Sequence, residues 1–274
     1  MRQEGPGEVT GQSARFIGSI PEHYDKYLGP RIFNGYAHDL ATRVAAGIPA
    51  SVLELAAGTG IVSRHLRDAI PAGSSLLASD LNPPMLEVAR NKFDAGENIR
   101  FEALDATSLP FADASFDAVA CQFGVMFFPD KQRSYEEVLR VLNPGGRYIF
   151  NVWGSWERNA FAQIAHEAVA RFFPDDPPGF YRLPFGYHDP VVIEQALLQA
   201  GFAQVTVHSV GFHSDIPSAQ EFATGLVYGN PLLDEIVSRG GDPEGIRQAV
   251  AAAIGDRLGQ SMSLQAIVIE ASKS

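Results

Sequence analysis

The spacing of apolar positions changes character along the chain. Between residues 20 and 46 it is helical: Tyr24, Tyr27 and Leu28 recur at i, i+3, i+4, and Phe33, Tyr36, Ala37, Leu40 and Val44 continue the stripe. Pro30 falls between the two sets and predicts the first turn of a second helix. After Gly47 short apolar runs alternate with amphipathic stretches. The pattern predicts strands at 51–55, 75–79, 99–103, 116–122 and 147–152, and helices at 61–70, 82–92 and 131–142. Asn82 is the expected cap of the second of these helices, with Pro83 in its first turn. Asn143-Pro144-Gly145-Gly146 closes the third. Such alternation predicts a parallel sheet with right-handed crossovers and helices on both faces.

The second half is less regular. Residues 160–173 read as an amphipathic helix that leads into PDDPPGFYRLPFGYHDP (174–190), a mixture suited to a shaped loop. A helix at 191–200 ending at Gly201, a strand at 205–210 and a last strand at 262–270 resume the alternation. Residues 217–259 between them are helical, with breaks at Gly229-Asn230-Pro231 and Gly240-Gly241-Asp242-Pro243. The expected fold is α/β, a doubly wound, mostly parallel seven-stranded sheet under a helical lid. The expected divisions are a mobile tail (1–13), N-terminal cap helices (14–46) and a ligand-binding core (47–153). A cap insertion (154–190), a core helix and strand (191–210), a helical cap insertion (211–260) and a final core strand with tail (261–274) follow.

Composition narrows the function classes. The 274 residues include 46% hydrophobic and 19% charged positions, a globular balance. With 21 basic and 32 acidic residues the net charge is −11, so a global basic footprint for nucleic acid is absent. Cys121 is the only cysteine, which excludes an intrachain disulfide and a cysteine zinc cluster. No apolar run approaches the roughly 18 residues of a membrane span, and MRQEGPGEVTGQSAR has no signal-type apolar stretch. A cytoplasmic protein without a metal is expected.

The stretch ELAAGTG (54–60) ends the first predicted strand in a turn of small residues. Three adenosine ligands can be weighed against it. A phosphate loop needs Gly-x4-Gly-Lys-Ser/Thr, and the sequence has no such string. A dinucleotide site wants G-x-G-x-x-G for close approach of the backbone to a pyrophosphate. Gly58 and Gly60 fit, but Ser63 stands at the third glycine, and Glu54 would set a carboxylate near the pyrophosphate. S-adenosylmethionine presents a cationic ammonium instead. An acid at the strand end suits that charge, and the two glycines let the backbone approach its carboxylate and sugar. Asp80 ends the second strand about 20 residues beyond the turn, the place of a ribose-binding acid. Leu81 and Met85 can sandwich an adenine. Asp105 can accept its amino group beside the Ala106 amide, or simply cap its own turn.

In this order ELAAGTG, SDLNPPML, LDATSLPF, FDAVACQFGVMFFPD and LNPGGRYIF resemble the successive motifs of class I S-adenosylmethionine-dependent methyltransferases. The nearest group is the small-molecule branch (methyltransferase type 11) that includes ubiquinone/menaquinone-biosynthesis enzymes. The resemblance covers residues 20–153 well and the remainder in outline. It implies a Rossmann-like methyltransferase fold with S-adenosyl-L-methionine as cofactor and S-adenosyl-L-homocysteine as product. It implies Glu54, Gly58 and Gly60 at the methionine end, Asp80 on ribose, Asp105 and Ala106 on adenine, and Gln122 beside the sulfonium. Tyr27, Ala56, Thr59, Leu81, Met85 and Phe123 complete the implied cofactor set. Ala56 departs from the family's usual glycine and should narrow the turn slightly without blocking the cofactor.

The acceptor should meet the methyl group above Gln122 and Phe123, since ligands bind at the carboxyl ends of strands in open α/β sheets. Asn82-Pro83-Pro84-Met85 imitates a nucleic-acid methyltransferase motif but follows the second strand and reads as a helix start. Asp130, before Lys131, suits an N-cap better than a metal ligand. Of seven histidines, His188 and His23 are the candidate bases, and no base is singled out. Tyr24, Phe127, Trp153, Tyr181, Phe185 and Tyr187 are the expected substrate-pocket residues. Tyr24, Tyr27, Phe180, Tyr181, Phe185, Tyr187, Phe222 and Tyr228, which lie outside the main alternation, suggest a lid over an apolar or aromatic small molecule. The expected reaction is methyl transfer to O, C or N of such a small-molecule acceptor. No nucleic-acid partner or membrane span is expected, and a homodimer is left open. The rivals are a protein that binds the cofactor without methyl transfer, in a regulatory role or for other chemistry on the same fold, and a nicotinamide-dependent oxidoreductase, which Glu54 and Ser63 disfavour.

Overall fold

A computed structural model describes residues 15–274, so the predicted tail at 1–13 lies outside the described residues. Seven strands form one sheet: β1 (Ser51–Leu55), β2 (Ser75–Asp80), β3 (Ile99–Ala103), β4 (Phe116–Gln122), β5 (Leu142–Trp153), β6 (Gln204–Asp215) and β7 (Ser261–Ser272). Their order is β3-β2-β1-β4-β5-β7-β6. The first five pair in parallel, and β7 lies antiparallel between β5 and β6. The reversal of direction of the chain's path on either side of β1 opens a crevice at the carboxyl ends of β1 and β4.

Alternate residues of the central strands feed two cores. Val52, Ala118, Ala120 and Ile149 pack on one face with Leu40, Val44 and Leu66. Those last three belong to α2 (Asn34–Ala45) and α3 (Ile61–Ala69). Leu53, Leu55, Val119 and Phe150 pack on the other face with Tyr135 and Val138, which lie on α5 (Lys131–Val141). All of these side chains are essentially excluded from water, and each fully buried Leu, Ile or Val contributes about 1.5–3 kcal/mol. Asp130 caps α5 as expected, accepting from the Arg133 amide at 2.9 Å.

Three local predictions are corrected. Pro30 does not start a helix. It lies inside a π-helical stretch, Tyr24–Phe33, between α1 (Ile20–His23) and α2; the Asn34 amide donates to the Gly29 carbonyl, the wide i→i+5 bond of that winding. Asn82 precedes α4 (Pro83–Arg90) without capping it by its side chain. Its amide instead donates to Asp80 Oδ1 at 3.1 Å, and its Oδ1 accepts from Phe16 N–H at 3.3 Å. The strand predicted at 205–210 runs to Asp215, because alternation continues through Gly211 and carries Phe212 onto Tyr36. The first residues of the predicted 211–260 insertion are therefore sheet.

Helices α6 (Ala160–Ala170), α8 (Ala219–Tyr228), α9 (Leu232–Ser238) and α10 (Pro243–Leu258), with the loop around Phe180–Arg182, pack beside this sheet. Helix α7 (Pro190–Ala200) precedes β6. No helix among the described residues is long and apolar enough to cross a membrane.

Candidate functional site

A cavity of about 450 Å³ opens at the carboxyl ends of β1, β2 and β4. Its polar wall is built by the turn after β1. Gly58 and Gly60 hold φ of +56° and +79°, values that favour glycine. A Cβ on Gly60 would also stand 2.8 Å from Ala89 Cβ, so the residue lets α4 close on the turn. The Gly58 amide donates to Asp80 Oδ2 at 2.9 Å, and the Asn82 amide donates to Asp80 Oδ1 at 2.8 Å. Burial raises the Asp80 carboxyl, and these amides draw it back. Oδ1 also accepts from the Asn82 side-chain amide at 3.1 Å, so Oδ2 is the less committed of the two oxygens.

Glu54 lies one layer behind this wall. It is 1% exposed, and its Oε2 has no hydrogen-bond partner among the described residues. Burial pushes its carboxyl up to about 8; neighbouring Ser63 eases the shift and the Asp80 charge adds to it. An orphaned buried carboxyl of this kind is costly unless a cation completes it. The ammonium of S-adenosylmethionine is such a cation, and this chain's residues fit that cofactor better than a pyrophosphate, which could not complete a buried carboxyl.

Of the expected cofactor residues, Ala56, Gly58, Asp80, Leu81, Met85, Asp105, Ala106, Gln122 and Phe123 line the cavity. Glu54, Thr59 and Gly60 stand behind it. Ala56 holds φ at +52°, so the departure from glycine is a strained one. Leu81 is 62% exposed at the rim. Asp105 Oδ1 accepts from the Thr107 amide and hydroxyl at 2.8 and 2.7 Å, which leaves Oδ2 for a ligand.

Tyr27 is not brought to the cavity. The π-helical winding puts Tyr24, Leu28, Ile32 and Phe33 on the cavity and stacks Tyr27 on His23, with ring centres 6.0 Å apart. The candidate bases are also elsewhere: His23 Nδ1 meets the Ser19 carbonyl at 2.8 Å, and His188 Nδ1 meets the Phe185 carbonyl at 2.7 Å. Among the described residues no imidazole lines the cavity.

The opposite wall is aromatic. Phe123 and Trp153 stack face to face, 3.9 Å between centres and 8° between planes, and Phe33 and Phe185 adjoin Trp153. Tyr24, Phe127 and Tyr181 also line the cavity. Tyr187 does not: its hydroxyl bonds Tyr135 at 3.0 Å outside the cavity. Sequence reasoning missed Phe16, Leu28, Ile32, Phe33, Phe161, Leu226 and Asn230 as cavity residues. Phe33 was visible only as part of a helical stripe, which core packing explains equally well. Phe222 and Tyr228 pack away from the cavity.

Comparison with known proteins follows this geometry. Residues 52–146 match the family described as a methyltransferase domain. A demethylmenaquinone methyltransferase of Deinococcus radiodurans is 38% identical over 150 residues, 53% of this chain and 62% of that protein. The match thus covers less than two thirds of this relative's length. A ubiquinone/menaquinone biosynthesis C-methyltransferase of Chromobacterium violaceum is 27% identical over 74% of this chain and 88% of its own length. The solved structure of phosphoethanolamine N-methyltransferase 2 from Haemonchus contortus, in complex with S-adenosyl-L-methionine, has a TM-score of 0.59 at 16% identity. It covers 92% of this chain and 56% of that one, a likeness of fold.

Proposed function

We propose that this chain, whose residues 52–146 match the methyltransferase-domain family, transfers a methyl group from S-adenosylmethionine to a small aromatic acceptor. The observation that carries the reading is the split cavity: Asp80, Asn82 and Asp105 at one end, and stacked aromatic rings at the other. Glu54 would hold the ammonium, Asp80 the ribose hydroxyls, and Leu81 and Met85 the adenine faces, with Asp105 and the Ala106 amide at its edge. When bound, the cofactor supplies a methyl carbon on a cationic sulfonium.

The chain's own residues then orient and exclude water. Phe33, Phe123, Trp153 and Phe185 give a flat acceptor a stacking surface and keep the reacting end dry. Holding nucleophile and methyl in line supplies much of the rate. Among the described residues no imidazole lines the cavity, so the favoured acceptor is one whose attack does not begin with loss of a hydroxyl proton, an electron-rich ring carbon as in a hydroquinone. The name of the Chromobacterium violaceum relative, a C-methyltransferase, supports carbon. The insertions around residues 154–190 and 216–260 serve as the lid in this reading.

Thermal-shift titration tests the cofactor: S-adenosylhomocysteine should raise Tm and NAD should not. Incubation with methyl-labelled S-adenosylmethionine and a panel of phenols and hydroquinones, including 1,4-naphthohydroquinone, should give labelled product by mass. Stabilisation by NAD alone, or label in no member of the panel, overturns the reading.

A further inference from the structure

We propose that Asn151 is a positioning residue for methyl transfer, fixing the aromatic floor of the acceptor end through Gln122 and Phe123. The proposal rests on the methyltransferase reading above. Asn151 lies on β5 opposite Gln122, is fully buried and does not line the cavity. Its side chain nevertheless ends on two residues that do. Oδ1 accepts from the Phe123 amide at 3.0 Å, and Nδ2 donates to Gln122 Oε1 at 3.4 Å. Gln122 Nε2 in turn donates to the Phe33 carbonyl at 3.3 Å, in the π-helical stretch.

The partners dictate both amide orientations. A backbone N–H only donates, so Asn151 Oδ1 must face Phe123. Its nitrogen then needs the oxygen of Gln122, and the nitrogen of Gln122 is left for a carbonyl that only accepts. One buried side chain thereby ties β4, β5 and the π-helical stretch at the cavity.

Sheet pairing does not require this tie. The Phe123 amide already donates to the Asn151 carbonyl at 3.1 Å. What the side chain adds is a second hold on a strained residue: Phe123 keeps φ at +50°, which L residues rarely adopt. That conformation lays its ring flat on Trp153 and sets it 5.8 Å from Phe33. A transfer that needs nucleophile and methyl in line is sensitive to such placement, at roughly 100-fold in rate per 1 Å of error.

The wild-type protein, Asn151→Asp and Asn151→Leu are compared in three measurements. These are calorimetry with S-adenosylhomocysteine, turnover of 1,4-naphthohydroquinone, and tryptophan emission in a Trp156→Phe background, so that the signal reports the Trp153 stack. Asp keeps an acceptor for Phe123 and breaks the tie to Gln122; Leu breaks both. Cofactor-product affinity should stay within about threefold while kcat falls roughly 10- to 100-fold, and the emission maximum should shift. If Asn151→Leu does not fold, Asn151→Asp decides the matter. Unchanged kcat in Asn151→Asp, or a fall in turnover matched by an equal loss of S-adenosylhomocysteine binding, overturns the proposal alone. A wild-type protein that methylates no member of the panel overturns the methyltransferase reading, and the positioning role with it.

Discussion

The methyl group of Ala56 packs directly over Gly124: a Cβ on Gly124 would stand 2.4 Å from Ala56 Cβ and 2.7 Å from Cys121 Sγ. Ala56 holds φ at +52°, a conformation that costs about 1–2 kcal/mol for an L residue. The side chain that position 56 carries is accommodated by the one that position 124 lacks.

Gly124→Ala should therefore destabilise the fold by about 1–3 kcal/mol. Ala56→Gly should relieve the backbone strain, and the double variant should be less unstable than Gly124→Ala alone. Chemical denaturation with a two-state fit measures the coupling. Additive effects would show that the two residues do not share the space.

Glu54 predicts a pH dependence of ligand affinity. Its carboxyl is raised to about 8 in the free protein, so below that pH a proton must leave before an ammonium can pair with it. S-adenosylhomocysteine should bind more tightly as pH rises, by up to about tenfold per unit below pH 8, and level off above it. Calorimetry in two buffers should also record proton release. Glu54→Gln should flatten the profile.

The same group affects the free protein's stability with the opposite slope. Its folded value lies above the ordinary 4.5, so the unfolded chain loses its proton first. The contribution is full below pH 4.5 and falls as pH rises to about 8. Urea midpoints across this range should decline in wild type more than in Glu54→Gln.

Asp80→Asn should weaken S-adenosylhomocysteine by roughly 10- to 100-fold. An amide cannot accept at both atoms, and charge-assisted hydrogen bonds contribute about 1.5–3 kcal/mol. The Gly58 and Asn82 amides both donate to this carboxylate, so some loss of turn order accompanies the change. An unchanged thermal shift would remove the ribose assignment.

His23→Ala and His188→Ala should leave turnover within about twofold of wild type, since both rings bond to backbone carbonyls away from the cavity. A large fall in kcat for either would show that the lid moves an imidazole inward during the reaction.

The turn after β1, the acid ending β2 and the strand–helix alternation were legible because they depend on local properties. A period of two or 3.6 residues, a glycine at positive φ and an acid at a strand end are written in adjacent letters. Tyr27, implied at the cofactor by resemblance alone, turns away from the cavity because the chain winds as a π-helix there, and neighbouring letters do not show which side chains such a winding turns inward. Tyr187 and His188 sit in an aromatic loop that composition marks, but which of its side chains turns inward depends on what packs behind them. Tyr187 found Tyr135, while Tyr181 found the Leu226 carbonyl at 2.8 Å.

The sequence by itself determined the α/β alternation, the small-residue turn and the acid, Glu54, that stands in the strand before it. Only the tertiary structure decided that Phe33, Phe123, Trp153 and Phe185 share one wall, and that Asn151 reaches two cavity residues from behind it. The physical reason is range. Periodicity and backbone preference act between neighbours in the chain, whereas a pocket is defined by contacts between segments that no local spacing relates.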